Sequence, residues 1–127
     1  MDNATLLIIH TDYAATQALT QVLGEHGYTL QVVEPSGGRF PYFTDNIVDL
    51  VLIGIPLLDA NSYELCHAFK QGRTTRDLPV VMVGDRLPDQ IAKAFDVGAS
   101  DYLSLPLHPQ EIIARIQYQL KGYRRRQ

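Results

Sequence analysis

Unbroken apolar runs alternate along this chain with stretches in which apolar residues recur at helical spacing. The clearest run lies within residues 48–56, where Leu50 to Ile53 is apolar at every position and ends at Gly54. A leucine and β-branched run of this length predicts a central strand of a parallel sheet, buried on both faces. Residues 5–10 form a second such run and 78–83 another, the latter closed by Gly84 and Asp85. Residues 28–33 begin with alternating character, and 101–105 read as a short last strand.

Helical patterns fill the intervals. Residues 13–26 repeat Ala15, Ala18, Leu19, Val22 and Leu23 at steps of three and four, which makes one buried face. Thr11 or Asp12 supplies the N-cap and Gly27 the stop. Asn61 or Ser62 caps a helix over 63–71, with Leu65, Phe69 and Cys66 facing inward. Pro88 opens a helix to Val97 that Gly98 ends, since proline suits a first turn. Pro109 opens the final helix, 109–123, with Ile112, Ile113, Ile116 and Leu120 as its stripe. Residues 34–46 break both periodicities through Pro35, Gly37, Gly38 and Pro41. There Phe40, Tyr42 and Phe43 read either as packing against the sheet or as a docking patch, on a loop or a short distorted helix. Strands alternating with helices imply a parallel, doubly wound α/β sheet covered on both faces, and 2-1-3-4-5 is the common strand order at this size.

The chain has 127 residues, enough for one core and too few for two. Hydrophobic residues at 46% and charged residues at 20% place it among globular proteins. No apolar run approaches the roughly 20 residues that span a bilayer. The opening Met1, Asp2 and Asn3 carry no basic run, which reads as no secretory leader. The single Cys66 fits a reducing cytoplasm and is most simply a small buried residue. The net charge of −3 is uneven. Lys121 and Arg124 to Arg126 supply four positive charges; setting them aside leaves 7 basic against 14 acidic residues. An acidic body is a poor nucleic-acid surface, so the expectation is no direct nucleic-acid binding and no membrane association. The domain is placed at 1–121, with 122–127 a basic tail or the start of a linker.

In this order of elements, several strings carry a resemblance. They are Asp49-Leu-Val-Leu-Ile53, Tyr63-Glu-Leu-Cys66, Leu78-Pro-Val-Val-Met-Val83, Gly98-Ala-Ser-Asp-Tyr-Leu103, Pro106 and Pro109-Gln-Glu-Ile-Ile-Ala-Arg-Ile116. Over nearly its whole length the chain resembles the CheY-like receiver domain of bacterial two-component response regulators. The resemblance implies a flavodoxin-like fold. It also implies a phosphoryl site of five positions: an acidic magnesium-binding pair, a phosphoacceptor aspartate, a hydroxyl residue and a lysine. Those positions align with His10 and Thr11, Gly54, Gly84, and Leu105. All five are replaced. Magnesium needs oxygen ligands in near-octahedral geometry, Gly54 has no side chain to phosphorylate, and Leu105 cannot balance a dianion as an ammonium would. The expectation is therefore a pseudo-receiver, not an enzyme, with no cofactor and no metal. Tyr102, aligned with the family's switch aromatic, is retained, and the small Gly84 beside it favours an inward ring.

Other readings stay open at this point. Asp12, Asp59 and Asp85 lie near strand carboxyl ends. They act as caps and a loop acid, or they complete a relocated acceptor, or with His10 a metal site. A lone histidine without a second His or Cys at ligand spacing is more often structural, and His26, His67 and His108 fall at helix ends or on the surface. A small flavodoxin-like ligand binder or enzyme is a third reading; no Gly-rich phosphate loop follows the first strand. The family commonly docks partners or dimerises through its fourth helix, fifth strand and fifth helix. On the matching positions Lys93, Asp96, Asp101 and Arg115 suit cross-dimer ion pairs, Lys93 with Asp96 and Asp101 with Arg115. Ile91 and Ser100 replace two further charged members. The resemblance thus implies a protein partner or a homodimer, and an output domain that is attached or separate.

Overall fold

A computed structural model describes residues 4–10, 12–33, 48–57 and 60–125, with the backbone alone at 124 and 125. The segment 34–46, with its three aromatics, lies outside these residues, as do Thr11 and Asp59. In chain order the elements are β1 (Thr5–Ile9), α1 (Tyr13–Glu25), β2 (Thr29–Val33), β3 (Leu50–Gly54), α2 (Ser62–Gln71), β4 (Val80–Gly84), α3 (Pro88–Asp96), β5 (Asp101–Ser104) and α4 (Pro109–Arg125). The five strands form one sheet in the order β2-β1-β3-β4-β5, and every neighbouring pair is parallel. This is the doubly wound architecture that the alternation predicts.

The period of two along each strand sends successive side chains to opposite faces. Leu7, Ile9, Val51, Ile53, Val80 and Met82 meet Leu65, Cys66 and Phe69 of α2 and Ala94 of α3 on one face. Leu6, Ile8, Leu50, Leu52, Val81 and Val83 meet Leu19 and Leu23 of α1 and Ile112, Ile116 and Leu120 of α4 on the other. Every residue of β3 and β4 is buried. Each fully buried aliphatic side chain contributes about 1.5–3 kcal/mol, so these two strands anchor the domain.

Helix ends follow the local chemistry. Asp12 is the N-cap of α1 and its carboxylate accepts from the Ala15 N–H; Asn61 caps α2 by accepting from Tyr63 N–H and Glu64 N–H. Gly27 and Gly98 take positive φ just past α1 and α3, where a side chain would be strained. Helix α4 runs through the boundary set at residue 121. Gly122 does not stop it, because the half-buried Tyr123 packs back on the core.

Candidate functional site

The carboxyl ends of β1, β3, β4 and β5 and the loops after them line the crevice in which this fold usually works. His10 follows β1 and is only 5% exposed. Its Nδ1 accepts the Asp12 N–H at 2.9 Å, which assigns the ring proton to Nε2. Burial holds its pKa below the usual imidazole range, with the Asp12 carboxylate pulling partly the other way. Asp12 itself is exposed and engaged in capping α1.

Gly54 ends β3, directly across from His10 if the β1–β3 register is continued one step past Ile9 and Ile53. A Cβ on Gly54 would lie 2.5 Å from His10 Nε2 and 2.6 Å from its Cγ, far inside the ~3.5–4.0 Å optimum for such contacts. The imidazole therefore fills the space beside Gly54. The Gly54 carbonyl accepts from the buried Ser62 hydroxyl at the start of α2.

Gly84 repeats the arrangement on β4. A Cβ there would lie 2.6 Å from the Tyr102 hydroxyl and 2.6 Å from Gln90 Nε2. Tyr102 is turned inward, 5% exposed. Its hydroxyl donates to the Asp85 carbonyl at 2.7 Å and accepts from Gln90 Nε2 at 2.8 Å. Burial raises the phenol's pKa, and the Gln90 hydrogen bond offsets part of that. The Asp85 side chain is exposed, and Leu105 is half-buried against the α1–α4 side of the core. Among the described residues no group of three or more His, Cys, Asp or Glu is placed to hold a metal ion.

The charged surface set divides. Arg115 of α4 pairs within the chain, with Asp101 at 3.1 Å and with Glu111 at 3.0 Å; these hydrogen bonds, Glu111's first, raise its pKa. The Asp101–Arg115 contact expected across a dimer is thus made inside one chain. Lys93 is turned toward α2. Its ammonium sits 4.5 Å from the centroid of the Tyr63 ring, and it lines an open groove between α2 and α3. At ~100° per residue, Ile91 lies about 160° round the helix from Lys93, and Asp96 about 60° beyond Lys93 on the other side. Lys93 and Asp96 therefore sit apart from Ile91. What shares the flank of Ile91 is apolar: Leu87, 52% exposed, and Phe95, 47% exposed.

Sequence reasoning did not single out Gln90 or Phe95, and it offered Ser62 only as a helix cap. Gln90 had a signal, being in the first turn of a helix after Pro88. Helical side chains lean toward the N-terminus, so this one reaches back over the strand ends.

A doubly wound parallel domain with its crevice at the carboxyl ends and an inward tyrosine on the last strand defines the receiver class. Residues 6–117 match the response regulator receiver domain, and the chain belongs to that family. It is similar to the heme response regulator HssR of Staphylococcus haemolyticus, at 32% identity over 92% of this chain and 51% of that protein. It is also similar to the transcriptional regulatory protein YvrH of Bacillus subtilis, at 28% identity over 95% of this chain and 51% of the other. A response-regulator structure from Chloroflexus aurantiacus superposes with a TM-score of 0.89 at 27% identity, over 94% of this chain and 99% of that one. The chain spans about half the length of these curated relatives. No helix among the described residues is long and apolar enough to cross a membrane.

Proposed function

We propose that this receiver domain is a non-catalytic pseudo-receiver that signals by protein contact, independently of phosphorylation, and controls an output domain either attached to it or separate. The observation that carries the reading is Gly54 with the His10 ring beside it. The acceptor position has no carboxylate, and the adjoining space is occupied. Leu105 in place of a lysine, and Gly84 in place of a hydroxyl, remove the remaining partners of a phosphoryl group.

The contact surface is the edge formed by α3, β5 and α4, and its occupant is a second copy of the chain. Leu87 and Phe95 give it exposed apolar surface, with the half-buried Ile91 between them, while Arg115, Asp101 and Glu111 supply both signs of charge on neighbouring elements. A patch with both signs can meet itself about a twofold axis. Exposed ion pairs contribute only about 0–1 kcal/mol each, so the apolar stripe supplies most of the affinity.

Sedimentation velocity across a concentration series, with and without beryllofluoride and magnesium, tests this. The expected mass rises with protein concentration and ignores the analogue. Ile91→Asp shifts the series to monomer. A mass that responds to the analogue overturns the reading, because some other acid, such as Asp59, then completes the site. A monomer at every concentration replaces the second copy with a different protein partner.

A further inference from the structure

The geometry points to His10 as the built-in occupant of the acceptor site, a positioning residue coupled to Gly54 so that neither is tolerated without the other. The inference deepens the pseudo-receiver reading and rests on it for its functional meaning. Three observations meet at this ring. It is buried, it lies within 2.5–2.6 Å of where any Cβ at residue 54 would stand, and its Nδ1 holds the Asp12 N–H at the entry to α1. One side chain thus fills the crevice beside β3 and pins the start of α1 to the end of β1.

The second glycine of the crevice is filled by the same device. The Tyr102 ring on β5 and the Gln90 amide close over Gly84 on β4. In both places a ring from a neighbouring strand or its end stands where a side chain on the middle strands would otherwise project. An aspartate placed at 54 alone therefore meets the imidazole rather than an open crevice. A divalent cation and a phosphoryl group gain room there only when His10 is removed as well.

The test is a mutant cycle of His10→Ala, Gly54→Ala and the pair together, read as melting temperature on the full chain. His10→Ala leaves a cavity and an unmatched backbone N–H; Gly54→Ala presses a methyl onto the ring. Each single change lowers the melting temperature by about 5–15 °C. In the pair the methyl enters the vacated space, and the loss is clearly smaller than the two single losses combined. Additive losses overturn the coupling. A second measurement needs no variant: long-range nitrogen NMR of the unaltered protein shows His10 protonated on Nε2 and titrating below the ordinary imidazole range. A ring that titrates like a free histidine overturns the inference as well. Beryllofluoride binding to the unaltered protein separately overturns the pseudo-receiver reading, and the cycle then still decides whether His10 and Gly54 are coupled.

Discussion

The crevice and the α3 flank are built in opposite ways. The crevice has a packed and hydrogen-bonded interior. His10 closes on Gly54, and Tyr102 and Gln90 close on Gly84. On α3 the apolar residues Leu87 and Phe95 face outward, and Ala94 is the helix's one buried position. A helix that buries so little of itself has its apolar surface set out for something else. Substitution that makes a site self-sufficient leaves a filled interior; substitution that serves a partner leaves exposed apolar surface. The two regions therefore differ in what they need from outside the chain.

The largest effect should come from breaking the filled side. Gly84→Val forces two methyls among Tyr102, Gln90 and the Ile55 side chain, whose Cβ is already 3.2 Å from the built position. Overpacking of this kind costs about 1–3 kcal/mol. Urea denaturation should show the loss, and tyrosine fluorescence should show Tyr102 moved toward solvent. An unchanged midpoint would mean that the space at Gly84 is slack.

A smaller effect comes from protons. The folded pKa of His10 is depressed below the unfolded value of 6.5 by burial. Above pH 6.5 the group is neutral in both states and its contribution to stability is complete. As pH falls from 6.5 toward the folded pKa, the unfolded chain binds the proton first, so stability declines with a slope of at most about 1.4 kcal/mol per pH unit. The variant His10→Asn should lose this portion of the pH dependence in denaturant titrations. The same slope in the variant would assign it to other groups.

The smallest effect on the monomer should come from the exposed side. Phe95→Ser changes monomer stability by no more than about 0.5 kcal/mol, yet it should weaken self-association by about tenfold or more, as for loss of an apolar anchor. Sedimentation equilibrium and thermal melts on the same samples separate the two. A variant that loses stability and keeps its association constant would reverse the comparison.

The fold was legible because its signals are local. Leu50 to Ile53 reads as a strand from adjacent residues, and Asp12, Asn61 and Pro88 mark helix starts by their own chemistry. The glycines at 54 and 84 were legible as strand ends too, through the apolar runs before them. What filled the gaps was not. His10 and Gly54 are 44 positions apart in the chain, and only the β1–β3 register brings them together. That Lys93 turns toward Tyr63 while Phe95 faces out was not legible, because a sequence gives the period of a helix and not its phase against the sheet. One residue of phase is about 100°.

The His10 ring against Gly54 also bears on descent. On the proposed coupling, a lineage regaining an acceptor must change both residues, and either change alone passes through a less stable protein. Proteins sit close above the stability they need, so selection removes most such intermediates before the second change arrives. The pair behaves as a ratchet. Once the ring has settled into the gap, drift can vary the surface around it but seldom reopens the site.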